Sequence, residues 1–210
     1  FVFVFMIGAC LSQGRAQTKS AVSYKNPVVD IAMPDPTVIK AADGYFYVYA
    51  TESTRNVPIM KSKDLVQWTY CNTAFTNKTR PRFEPKAGIW APDINYINGK
   101  YVLYYAMSVW GGEQTCGIGV ATADSPQGPF TDHGKMFRSN EIGVQNSIDP
   151  SFLQYEGRNY LVWGSFRGIY VIELTEDGLS LKPGAEKKRI AGTAFEAAYI
   201  HKHGDYYYMF

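Results

Sequence analysis

The chain has 210 residues, enough for one domain with a sizeable core, and its formal net charge is only +2. Acidic and basic residues are interspersed without a basic stripe, which argues against a nucleic-acid partner. Three cysteines are too few for a disulfide scaffold, and Cys71 and Cys116 are as consistent with two separate thiols as with one disulfide.

Residues 1–20 are predicted to be a leader. Phe1–Leu11 is almost wholly apolar but shorter than the about 20 residues that span a bilayer, and small and polar residues follow it. Gly14–Ala16 suits ordinary signal peptidase, whereas Ile7–Cys10 resembles a bacterial lipobox in which Cys10 would carry a lipid anchor. Both alternatives predict a secreted, periplasmic or cell-surface bacterial protein without a transmembrane span.

One strand–turn–strand unit then occurs four times. Each copy begins with an acidic residue, continues as a short β-branched or aromatic run, turns at a glycine and returns as a second such run. The four copies begin at Asp35, Asp93, Asp149 and Glu196 and turn at Gly44, Gly99, Gly157 and Gly204. The first two turns are Asp-Gly and Asn-Gly, which are strong hairpin signals because a type I′ turn needs positive φ.

This repeat predicts an all-β fold of the β-propeller type. Its period of about 50 residues leaves room for two more strands after each hairpin, as in a four-stranded propeller blade. The first strand of each blade lines the central channel, so the four acids are expected at one mouth of that channel. A hydrogen bond within a local turn, which Asp before Pro often makes, would explain one such acid. It would not explain an acid at the same position of all four repeats.

The repeat starts resemble those of glycoside hydrolase family 43. The motifs are Pro34–Val38, Trp90–Ile94, Ser147–Ser151 and Phe195–Ile200, in this order and at blade spacing. The resemblance covers about residues 26–210. It implies a five-bladed β-propeller, of which residues 21–210 would form an incomplete catalytic domain with three blades and half of a fourth.

The resemblance also implies an inverting mechanism with three carboxylates. Asp35 would be the general base, Glu196 the general acid, and Asp149 the residue that orients the acid and raises its pKa, while Asp93 would be structural. The chemistry agrees, because inverting glycosidases hold acid and base roughly 6.5–9.5 Å apart and a like charge opposes ionisation of the acid. No cofactor and no nucleophilic Ser or Cys is required.

Within the family, the sequence is most similar to the arabinanases, which cut α-1,5-linked arabinan inside the chain. The similarity is carried by Asn146–Pro150, Trp163–Phe166 and Glu196–Ile200. The arabinanase pattern has His where this chain has Pro34, Trp where it has Arg167, and Pro where it has Ala198. These departures leave the carboxylates intact but leave the polysaccharide open between arabinan and arabinoxylan.

Five further residues are candidates for substrate contacts. Trp90, Trp110 and Phe166 could stack on sugar faces or pack between blades, and Asn146 and Ser165 could bind sugar hydroxyls or only shape turns. No metal site is predicted among the residues present, although the resemblance implies a calcium ion on the propeller axis in some arabinanases. We expect a monomer.

Two other functions remain open at this point. An exo-acting β-xylosidase or α-L-arabinofuranosidase of the same family would differ in the shape of the channel mouth. A non-catalytic carbohydrate-binding propeller, held at the surface through Cys10, would bind sugar whether or not Glu196 is intact.

Overall fold

The computed structural model describes residues 23–210, and the predicted leader at residues 1–20 lies outside them. Within this range the chain forms three four-stranded antiparallel sheets and a two-stranded hairpin, with one short helix, α1 (Ser139–Ile142). The predicted all-β class is therefore confirmed. No helix in residues 23–210 has both the length and the apolar character needed to cross a membrane.

The strands follow one another in chain order within each sheet. Sheet 1 contains β1 (Thr37–Lys40), β2 (Phe46–Tyr49), β3 (Pro58–Ser62) and β4 (Trp68–Thr73). Sheet 2 contains β5 (Gly88–Ile97), β6 (Lys100–Ser108), β7 (Gly117–Ala123) and β8 (Thr131–Arg138). Sheet 3 contains β9 (Ser151–Tyr155), β10 (Arg158–Trp163), β11 (Ile169–Glu173) and β12 (Lys188–Ala191), and the hairpin contains β13 (Ile200–His203) and β14 (Tyr206–Met209).

The four predicted hairpins all form. The turn between β5 and β6 shows why its sequence suits it: Asn98 has φ 48° and Gly99 has φ 83°, the pair of positive values that a type I′ turn requires. Ile97 pairs with Lys100 directly across this turn, which fixes the register of the two strands.

Strand β6 joins two apolar cores because side chains alternate between the faces of a strand. Leu103 and Tyr105 pack with residues of sheet 1, whereas Val102 and Tyr104 pack with residues of sheet 3. All four side chains are buried, so β6 is a nearly continuous apolar run and not an alternation. The three sheets are thus stacked face to face, with sheet 2 in the middle.

Asp93 ties together the first strands of all three sheets. Its carboxylate accepts hydrogen bonds from Thr37 Oγ1 of β1 (3.3 Å) and Asn95 Nδ2 of β5 (2.8 Å), and from the backbone N–H of Phe152 in β9 (2.7 Å). Burial raises the pKa of Asp93 to about 6, and the three donors oppose that rise. These bonds agree with the structural role expected for this residue.

The sheets do not close into a ring within residues 23–210, and the truncated five-bladed propeller stays a prediction. Cys71 and Cys116 are separate free thiols, and the disulfide that the sequence left open does not form.

Candidate active site

The starts of the four repeats meet at one cavity of about 630 Å³. Its lining comes from the first strands and the residues just before them. The lining segments are Asp35–Lys40, Ala91–Tyr96, Asp149–Phe152 and Ala197–Tyr199. The convergence expected from the phase of the repeat is therefore present, with Glu196 directly before the last lining segment.

Asp149 is close enough to the other two candidate carboxylates for both to act on its ionisation. Burial raises its pKa to about 7, and the negative charges of Glu196 and Asp35 contribute to this rise, while a hydrogen bond from the backbone N–H of Ala197 opposes it. Asp149 is half-buried, whereas Asp35 and Glu196 are exposed. A raised pKa was predicted for Glu196, whereas burial and both neighbouring charges act on the carboxyl of Asp149.

Two of these acids occupy a strained backbone conformation. Asp35 has φ 49° and Asp149 has φ 58°, in the left-handed region that costs a non-glycine residue roughly 1–3 kcal/mol. Ala197, directly after Glu196, has φ 53°. Such strain persists where surrounding bonds hold it, and it is concentrated at functional sites.

Asp35 is held by a residue that the sequence analysis did not single out. Thr51 lies two positions past the end of β2, and its Oγ1 donates a hydrogen bond of 2.5 Å to Asp35 Oδ2. A threonine near the end of a strand looks like any other β-branched residue, so the sequence carried no specific signal for this contact.

Glu196 is held from the other side by Ser165, which lies two positions past the end of β10. Ser165 Oγ donates to Glu196 Oε2 over 2.9 Å, and the two residues form an isolated antiparallel bridge. Ser165 is only 2% exposed, and its carbonyl oxygen accepts a hydrogen bond of 3.0 Å from Asn146 Nδ2. Both residues thus bond within the protein, and their predicted contacts with sugar remain predictions.

The three aromatic candidates differ in exposure. Trp110 is 93% exposed and lies beside Trp90, with ring centroids 5.7 Å apart. Trp90 itself packs on a small buried cluster that contains Ile148, the residue before Asp149. Phe166, next to Ser165, is 48% exposed. The packing interpretation therefore applies to Trp90, while Trp110 and Phe166 are open to solvent.

Glu113 is a second residue without a sequence signal. In the loop between β6 and β7, its carboxylate forms an ion pair with Arg167 at 2.8 Å and accepts a hydrogen bond from Gln145 Nε2 at 2.7 Å. Its carbonyl oxygen accepts the N–H of Asn146 at 2.7 Å. Glu113 thereby connects three loops next to Ser165 and Asp149.

The calcium ion that the resemblance implies stays a prediction, since the fifth blade expected to supply its site is not among the described residues. No group of three or more His, Cys, Asp or Glu side chains in residues 23–210 is arranged to hold a metal ion. Asp93, a half-buried carboxylate among the first strands, already accepts three hydrogen bonds with its two oxygens.

Comparison with known proteins places these features in a family. The model described as "Glycosyl hydrolases family 43" matches residues 24–210. The chain is 35% identical over 189 residues to extracellular endo-α-(1→5)-L-arabinanase 1 of Bacillus subtilis strain 168, a match that covers 83% of this chain and 57% of that relative. The chain thus spans little more than half the length of this curated relative.

Two solved structures are similar in fold and sequence. The native arabinanase of Bacillus subtilis superposes with a TM-score of 0.74 at 31% identity, covering 86% of this chain and 65% of that one. An exo-1,5-α-L-arabinanase from a bovine ruminal metagenomic library gives a TM-score of 0.73 at 30% identity, covering 89% and 66%. Because the family model matches almost every described residue, this chain belongs to glycosyl hydrolases family 43.

Proposed function

We propose that the protein carrying this chain is a glycoside hydrolase that cleaves α-1,5-linked arabinan with inversion of configuration. The observation that carries the proposal is that Asp35 and Asp149 line one cavity while the charges of Asp35 and Glu196 both act on Asp149. The names of the relatives support arabinan as the substrate.

In this mechanism Glu196 is the general acid and Asp35 the general base. Glu196 gives its proton to the glycosidic oxygen as the bond from that oxygen to the anomeric carbon breaks. A water molecule attacks the same carbon from the opposite face and loses a proton to Asp35. The bond from the anomeric carbon to the water oxygen thus replaces the bond to the glycosidic oxygen. Asp149 lies close enough to both acids for its charge to affect how the site holds a proton.

The proposal includes a five-bladed β-propeller. Sheets 1, 2 and 3 would be three of its blades, and β13 with β14 would begin a fourth. Four hairpin repeats at blade spacing support this, as do structural relatives of which the chain covers about two thirds. We further propose a monomer. Calcium on the propeller axis stays an implication of the family resemblance.

We also propose that the protein is exported by the predicted leader, with cleavage after Ala16 or lipidation at Cys10 as alternatives. It would then be secreted, periplasmic or on the surface of a bacterial cell. A Bacillus subtilis relative named as extracellular supports export. Mass spectrometry of the mature N-terminus separates the two alternatives.

Product analysis on linear α-1,5-arabinan tests the function. We expect arabino-oligosaccharides to accumulate early, because Trp110 and Phe166 are exposed and could contact several sugar units of a long chain. The first product seen by proton NMR should carry the inverted anomeric configuration. Arabinose as the sole product would favour the exo-acting alternative, and release of xylose from arabinoxylan would favour the xylosidase. Sugar binding without hydrolysis would support the alternative of a non-catalytic carbohydrate-binding propeller.

Replacement of Trp110 by Ala tests the aromatic platform. We expect the KM for linear arabinan to rise about tenfold with kcat nearly unchanged, since loss of ground-state stacking removes binding that is equal in ground and transition states. Trp110 is the cleaner target than Trp90, because it is 93% exposed and its removal disturbs no buried cluster.

The matched control is Trp68→Ala, which removes an indole on the outer strand β4 of sheet 1. Its KM should equal that of the wild type. Equal KM values for the wild type and Trp110→Ala would exclude Trp110 from substrate binding.

A further inference from the structure

Thr51 is fixed in place by both neighbouring sheets. Its backbone N–H donates to the carbonyl of Pro34 at 2.9 Å, and the next N–H along the chain, that of Glu52, donates to Ile89 at 3.0 Å. The Glu52 carboxylate is bound by Arg80 through two nitrogens at 3.0 and 2.8 Å, and these two side chains are only 8% and 6% exposed. A buried ion pair therefore anchors the residue that follows Thr51.

The direction of the hydrogen bond to Asp35 follows from the partners of Thr51. The backbone N–H of Ala91 donates to Thr51 Oγ1 at 2.7 Å, and an amide N–H can only donate. The hydroxyl of Thr51 thus accepts there, and its single proton is directed to Asp35 Oδ2, 2.5 Å away.

The other oxygen of Asp35 is left available. Among the described residues, no side chain or backbone N–H donates a hydrogen bond to Asp35 Oδ1. The residue before Asp35 is also tied to Thr51 by the bond from the Thr51 N–H to Pro34. One threonine therefore determines both the path of the backbone entering Asp35 and the rotation of its carboxylate.

On the basis of the proposed function, we propose that Thr51 is a positioning residue of this site, whose hydroxyl orients the Asp35 carboxylate and leaves Oδ1 to accept the proton of the attacking water. Thr51 contacts neither substrate nor reacting atoms. Its effect is exerted entirely through Asp35.

The test compares Thr51→Val with Thr51→Ser in the whole protein. The valine keeps the shape and loses the hydroxyl, so kcat on arabinan should fall about 10- to 100-fold with KM changed less than about twofold. Serine restores the hydroxyl and should restore the rate.

Thr37→Val is the matched structural control. Thr37 Oγ1 also accepts a backbone N–H, that of Ile94, and donates to a carboxylate, that of Asp93. This variant should lose stability. A wild-type kcat in Thr51→Val would overturn the inference, as would a Thr51→Ser enzyme as slow as Thr51→Val.

A crystal structure of Thr51→Val supplies a readout that does not depend on turnover. Asp35 should rotate away from the position in which Oδ2 lies beside residue 51. An unchanged Asp35 carboxylate would contradict the positioning role even if the wild type did not hydrolyse arabinan. Inactivity of the wild type on arabinan would count against the proposed function alone.

Discussion

Glu196→Gln and Asp35→Asn are each expected to lower kcat on linear arabinan by about 10²- to 10⁴-fold, the usual contribution of a positioned acid or base. Both changes keep the size of the side chain and remove only its ability to give or take a proton. The folded state should persist, because both side chains are exposed and neither belongs to an apolar core. Initial rates and circular dichroism spectra measured on the same preparations check both statements.

The two roles can be distinguished by the leaving group. An aryl arabinofuranoside with a strongly acidic phenol needs little help from a general acid, so Glu196→Gln should regain much of its rate on it. Asp35→Asn should not, because the attacking water still lacks its base. Recovery by Asp35→Asn instead of Glu196→Gln would reverse the assignment.

Surface carboxylates provide matched controls for these variants. Asp124→Asn and Glu186→Gln make the same chemical changes at exposed positions outside the cavity lining. Both controls should keep the wild-type rate. If Asp35→Asn or Glu196→Gln kept most of the activity as well, the three-carboxylate mechanism would be wrong.

Asp149→Asn is expected to lower activity and to move the alkaline limb of the kcat profile to lower pH by about one unit. The pKa of Asp149 is raised to about 7, by burial first and then by the charges of Glu196 and Asp35. The three carboxylates therefore keep a proton to near-neutral pH. Asparagine removes one negative charge, so less repulsion opposes loss of the remaining proton. A pH–rate profile over about pH 4 to 9 measures the shift.

The same variant should change how stability depends on pH. The carboxyl of Asp149 has a folded pKa of about 7, above the about 3.9 of an unfolded chain, so the folded state binds a proton that the unfolded state releases. Its contribution to stability is fully present below the unfolded pKa and is lost as pH rises through about 7. The asparagine of the variant cannot ionise, so the melting temperature of Asp149→Asn should fall less between about pH 5 and pH 8 than that of the wild type.

Two results would count against this account of Asp149. One is an alkaline limb that stays in place in Asp149→Asn while the rate falls, because the residue would then act through geometry alone. The other is an equal fall of melting temperature with pH in the variant and the wild type. Asp124→Asn, at an exposed position, should show neither change.

Much of the fold could be predicted because its signals are local. The Asn98-Gly99 turn requires positive φ at both residues, so it specified a hairpin before any long-range contact was known. The β-branched and aromatic run of β6 likewise specified a strand, and an acid at the same position of each repeat predicted the residues that precede the first strands.

The substrate contacts could be predicted only in part. Trp90 and Trp110 are the same residue type and lie side by side, yet one is packed on a buried cluster and the other is 93% exposed. Ser165 and Asn146 looked like groups for sugar hydroxyls, but their observed bonds are within the protein. Exposure depends on neighbours from other sheets, which the local sequence does not contain.

By itself, the sequence determined the hairpin repeat, the acid at the start of each repeat and the family. Each of these depends on residues close together in the chain or on their regular spacing. Only the tertiary structure decided that burial and repulsion act on Asp149, and that Thr51 directs its proton to Asp35. Burial, charge repulsion and hydrogen-bond direction depend on distances in space between residues that are far apart in the chain. The contacts of Thr51 with Ala91 and of Ser165 with Glu196 join different repeats, and folding alone brings them together.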